Sequence, residues 1–73
     1  MKTIANYSTE FCNYEIVKIQ NGYLIKIVGV GKNNSDYRDC VYNATREETF
    51  SQFKFLVSLG GGQINYDSDS ISW

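Results

Sequence analysis

Seventy-three residues can build one domain around a small core, and 42% hydrophobic content places the chain among globular rather than disordered sequences. Seven Lys and Arg against eight Asp and Glu leave a net charge of −1, too balanced for a phosphate-binding surface and too poor in carboxylates for a nucleic-acid mimic. There is no His, which removes the commonest general base and every Ser–His or Cys–His nucleophile pair.

Residues 1–13 are polar with scattered Ile4, Tyr7 and Phe11, and read as irregular chain or a short edge strand. They hold one Lys besides the initial Met and no long apolar run, so they are not a signal peptide. No stretch approaches the roughly twenty apolar residues of a membrane span. The expected compartment is therefore the cytosol, most simply a bacterial one. There Cys12 and Cys40 stay reduced and act as small half-buried hydrophobes. Two Cys without His cannot complete a zinc shell, and neither metal nor cofactor is expected.

The clearest element is a β-hairpin over 14–30. Two β-branched runs, Tyr14–Gln20 and Tyr23–Val30, flank Asn21-Gly22, a pair suited to a two-residue type I′ turn because both central residues need positive φ. In that register Gln20 faces Tyr23 and Ile19 faces Leu24. Gly29 and Gly31 predict a bend or bulge at the end of the second strand. Lys32–Asp36 is a turn by composition, and 38–44 forms a third strand antiparallel to the second. Thr45-Arg46-Glu47-Glu48 is a capping box, with the Thr45 hydroxyl accepting from the Glu48 N–H and the Glu48 carboxylate reaching back to the Thr45 N–H. The helix it opens runs over 46–59, where Gly60-Gly61-Gly62 stops it. Residues 63–73 alternate Ile64, Tyr66, Ile71 and Trp73, which fits a last strand or a docked tail.

The order predicts one α+β domain over 1–73: a small antiparallel sheet of three to four strands (β-β-β-α-β) with one helix packed on one face. The hairpin has apolar residues on both faces. Tyr14, Ile16, Tyr23, Ile25 and Ile27 line one, and these are expected under the helix. Val17, Ile19, Leu24, Val28 and Val30 line the other and also want cover. The helix has the same surplus. Phe50, Phe53, Leu56 and Val57 form a stripe, while Phe55 and Leu59 widen the apolar arc to about 220°, twice what a sheet-facing stripe needs. Either the tail folds over the surplus, or a second subunit or a partner does.

Little in the chain carries chemistry. Glu47 and Glu48 are accounted for by capping, and Asp67-Ser68-Asp69 is an acidic tail rather than an acid–base pair. The triple glycine follows a helix, whereas phosphate loops precede one. Tyr14 and Tyr23 beside Lys18 only faintly suggest a nucleic-acid platform. No enzymatic activity is expected.

The succession Asn21-Gly22-Tyr23-Leu24-Ile25-Lys26-Ile27, then Tyr37 to Tyr42, then Thr45-x-x-Glu48 with a Phe-rich helix, resembles small accessory proteins encoded by bacteriophages. Some of these inhibit bacterial defence systems, anti-CRISPR proteins among them. The resemblance spans 14–59 and implies stoichiometric inhibition of a bacterial host or defence protein, without catalysis. It also implies that acidic residues could occupy a nucleic-acid channel, for which Asp67, Asp69 and Glu10 are the candidates. The interface residues expected on these grounds are Phe55, Leu59, Val17, Ile19, Leu24, Val28, Asp67, Asp69 and Trp73, and a homodimer is expected. The alternatives are a homo-oligomer that sequesters a nucleotide or small ligand through Lys18, Lys26, Lys32 and Arg38, and a small nucleic-acid-binding module.

Overall fold

In the computed structural model, which describes residues 1–73, four antiparallel strands follow one another and a helix comes after them. They are β1 (Lys2–Ser8), β2 (Cys12–Ile19), β3 (Gly22–Gly29), β4 (Arg38–Asn43) and α1 (Arg46–Leu59), with the sheet in the order β1-β2-β3-β4. The α+β class and the helix on one face agree with the sequence pattern. The fourth strand, however, lies before the hairpin rather than after the helix. Lys2–Ser8 pairs with β2, from Thr3 opposite Val17 to Ser8 opposite Asn13, with an irregularity between Thr3 and Ala5. The extra residue there, Ile4, breaks the apolar–polar alternation by which a strand is recognised. Residues 63–73 form no strand. Asp67-Ser68-Asp69-Ser70 has turn composition, and Ser68–Ser70 closes a single 3-10 turn.

The hairpin departs from expectation in its turn. Positive φ is confined to Gly22 (152°), Gly31 (89°) and Gly61 (86°), so Asn21 does not adopt the conformation that a type I′ turn demands. Ile19 faces Gly22, Lys18 faces Tyr23 and Val17 faces Leu24. The turn is thus Gln20-Asn21, and the ladder is displaced by two residues from the expected one. A one-residue slip would exchange the faces; a two-residue shift preserves them. The cause lies in the neighbouring strand. Tyr42 Oη donates to Asn21 O at 2.6 Å, and a side chain at Gly22 would meet Asn43 O at 2.6 Å and the Tyr42 ring at 2.9 Å. Strand β4 selects the turn, and only glycine fits beneath it. β3 also runs to Gly29 without the bulge its glycines suggested, and β4 stops one residue short, at Asn43.

Helix α1 has the expected ends. Thr45 Oγ1 accepts from Glu48 N at 3.2 Å and donates to Glu48 Oε1 at 2.8 Å, so the reciprocal bond engages the hydroxyl instead of the Thr45 N–H. At the other end Gly61 N donates to Ser58 O at 3.1 Å and Gly62 N to Val57 O at 2.9 Å, the two bonds of a Schellman motif with Gly61 in the left-handed position.

The core lies between α1 and the Tyr23/Ile25/Ile27 face. Phe53, Val57, Ile16 and Ile25 are fully buried there, joined by Tyr14, Ile27 and, from the tail, Ile64 and Ile71. Each such aliphatic or aromatic side chain contributes about 1.5–3 kcal/mol. Trp73 anchors the tail. Its ring meets Tyr23 edge-on at 5.3 Å and Phe50 at 6.5 Å, its Nε1 donates to Ser68 O at 2.7 Å, and the Arg46 guanidinium lies 5.9 Å over it. No helix is long and apolar enough to cross a membrane.

Candidate functional site

The tail covers only one side of the helix surplus. Tyr66 and Trp73 take the Phe50 flank, at 6.3 and 6.5 Å between ring centres. On the opposite flank Phe55 remains 59% exposed and Leu59 69% exposed. One turn apart on the same face, they form an uncovered apolar pair.

Leu59 is also part of the wall of a groove of about 380 Å³ at the C-terminal end of α1. Leu56 and Leu59 line it from the helix, Phe11 from the β1–β2 turn, Tyr37 and Asn34 from the β3–β4 loop, and Cys12, Tyr14 and Ile27 from the sheet. Local chemistry explains how the two aromatics reach it. Thr9 Oγ1 accepts from the N–H groups of Phe11 (3.2 Å) and Cys12 (3.1 Å), which tightens the turn around Phe11. The loop is pinned by Tyr37 N donating to Asn34 O and Gly29 N donating to Tyr37 O, both at 2.9 Å. Phe11 and Tyr37 are each left 49% exposed.

Tyr14 brings a buried phenol to this groove. Burial pushes its phenol pKa up, and the Cys12 thiol beside it pushes the same way. The hydroxyl therefore stays protonated and available as a donor at ordinary pH. Beyond Phe55, towards the start of α1, a shallow and widely open hollow is lined by Asn43, Glu47, Glu48, Ser51 and Gln52. The Asn43 amide nitrogen is buried with no hydrogen-bond partner.

The remaining expected interface residues are scattered. Val17, Ile19, Leu24 and Val28 lie on the sheet face away from α1. Val17 is only 3% exposed and the others are half-buried. They share no surface with Phe55 and Leu59. Asp67 precedes the 3-10 turn, Asp69 lies within it, and Trp73 belongs to the packed tail. The cations proposed for a nucleotide do not converge either. Lys26 and Arg38 share a hollow with Glu15 and Asp39, while Lys18 reaches Trp73 O at 3.4 Å on the helix side. No three His, Cys, Asp or Glu side chains converge in a way that could hold a metal ion.

Sequence reasoning missed Phe11, Tyr37 and Leu56 as parts of one surface. A signal was present: Phe11 and Tyr37 are aromatic residues in segments outside the hairpin and helix, where no core face requires them. No protein family, curated protein or solved structure matches the chain.

Proposed function

We propose that this is a non-enzymatic protein-binding module that acts stoichiometrically through the outer flank of α1 and the adjoining groove. One observation carries the reading. Of six large apolar side chains left exposed, four (Phe11, Tyr37, Phe55 and Leu59) belong to the groove or to the helix flank that continues it. Burying an aliphatic or aromatic side chain in an interface gains roughly 1.5–3 kcal/mol, and a few such anchors dominate binding energy. The resemblance to phage accessory proteins supplies the target class, a bacterial host or defence protein whose activity is blocked by occupancy.

The test is capture of a host protein by the tagged chain from bacterial lysate, repeated with Phe55→Ser and Leu59→Ser together. The parent is expected to retain a protein at fixed stoichiometry. The double variant should release it while unfolding at the parent's temperature, since both side chains are exposed. Equal capture by the double variant, or catalytic turnover by the purified protein, would overturn the reading.

A further inference from the structure

Charge is unevenly spread around α1, with Glu47 on the boundary, where it also shares a hollow with Lys54 and Phe50. Its two cations lie on the tail side, Arg46 over the Trp73 ring at 5.9 Å and Lys54 over the Phe50 ring at 5.6 Å. The hollow beside Phe55 is lined by Glu47 and Glu48 and by no cation. The helix dipole offsets about half a charge at this end, less than the two carboxylates carry. Glu48, Gln52, Phe55 and Leu59 fall within roughly 60° of arc at 100° per residue. The uncovered flank is therefore a stripe that is acidic at its start and apolar at its end.

Resting on the interaction surface proposed above, we infer that this stripe docks a helix of a partner protein with two apolar side chains opposite Phe55 and Leu59 and a Lys or Arg opposite Glu47 and Glu48. The spacing fits a helix. Eleven residues at about 1.5 Å each separate Glu48 from Leu59, about 16 Å. A partner helix covers that distance in three turns and returns to the same face. An extended segment would need about five residues, and an odd count puts its two ends on opposite faces. Orientation follows from the dipoles. An antiparallel helix brings its C-terminal turn to Glu47 and Glu48, where cations are favoured, so the basic residue follows the apolar pair in the partner's sequence.

A second copy of this chain fits the stripe poorly. In a two-fold antiparallel pairing, Glu48 of one helix meets the last turn of the other, and that turn has no basic residue.

The probe is an alanine-based helical peptide of about twenty residues, long enough to be helical alone. It carries two Leu one turn apart and two Lys about three turns after the first Leu, which is two turns after the second; a counterpart carries Glu in place of Lys. Fluorescence anisotropy of each labelled peptide is measured against the whole protein. The Lys peptide should bind at least about tenfold tighter than the Glu peptide, with the gap shrinking as salt rises. Glu47→Lys combined with Glu48→Gln, which retains a capping side chain, should erase the preference. Equal binding of the two peptides, lost with Phe55→Ser and Leu59→Ser, overturns the cationic partner and leaves the interaction surface standing. Peptide binding unaffected by those two substitutions removes the surface itself. Failure of both peptides to bind, or a dimer in sedimentation that the two substitutions dissociate, refutes the inference.

Discussion

Gly60→Ala should destabilise the protein although its backbone would accept any residue. At φ −86° and ψ 11° an alanine is unstrained, and restricting the unfolded chain would by itself stabilise by about 0.4–1 kcal/mol. The obstacle is Tyr14. A methyl group at Gly60 runs into Tyr14 Oη and comes within 3.2 Å of its Cζ, with Val57 O at 3.6 Å. Tyr14 is 3% exposed, so the ring cannot swing aside without disturbing the core, and overpacking of this kind costs about 1–3 kcal/mol. The net loss should be about 1–2 kcal/mol, and each kcal/mol is worth roughly 4–8 °C in a domain of this size. Thermal unfolding followed by circular dichroism on four proteins measures it: the parent, Gly60→Ala, Tyr14→Phe and the pair. Removing the hydroxyl leaves only the 3.2 Å approach to Cζ, so at least half of the Gly60→Ala penalty should vanish in the Tyr14→Phe background. Close pairs show coupling of about 0.5–3 kcal/mol. A Gly60→Ala protein as stable as the parent, or an equal penalty in both backgrounds, would refute the packing argument.

Gly22→Val should cost on the order of 1–3 kcal/mol in urea unfolding, because φ is 152° and Asn43 O lies 2.6 Å from the new Cβ; an unchanged midpoint would mean that the turn is not held by β4. Burial raises the phenol pKa of Tyr14 and Tyr66 above the usual 10.0. The native state then keeps protons that the unfolded state releases, so this stabilisation is whole below about pH 10 and is lost as pH rises through the folded values. Urea midpoints should fall as pH rises above about 10, and less so when both residues are changed to Phe. Trp73→Ala removes two edge-to-face contacts worth about 0.5–1.5 kcal/mol each and should lower the melting temperature, whereas Phe55→Ser should not; the reverse ranking in a thermal scan would exchange their roles.

Legibility followed the range of the interactions. The limits of α1 depend on Thr45, Glu48 and three glycines, all within a turn of the helix ends, and these were readable to the residue. Both faces of the hairpin were readable too, because alternation survives a two-residue shift. The turn itself was not, since Tyr42 and Asn43 select it from some twenty positions away. β1 was legible only as one of two readings, irregular chain or short edge strand, for a related reason: Ile4 interrupts the alternation, and the pairing of Tyr7 with Tyr14 becomes visible only once the sheet is assembled. The surplus on Phe55 and Leu59 was legible from helical periodicity. Its continuation through Phe11 and Tyr37 was not, because loops converge in space without any period to announce it.

The sheet order β1-β2-β3-β4 has a consequence for synthesis. Every strand pairs with its predecessor in the chain, so the ladder can close as each strand leaves the ribosome, through local contacts that form quickly. The cover arrives later. Tyr14, Ile16, Ile25 and Ile27 wait for Phe53, Val57, Ile64 and Ile71, all encoded after residue 44. At about 5–20 residues per second this leaves the apolar face bare for about 2–6 s. Aggregation or chaperone engagement of the nascent chain should therefore peak after β4 emerges and subside once α1 and the Trp73 anchor have docked.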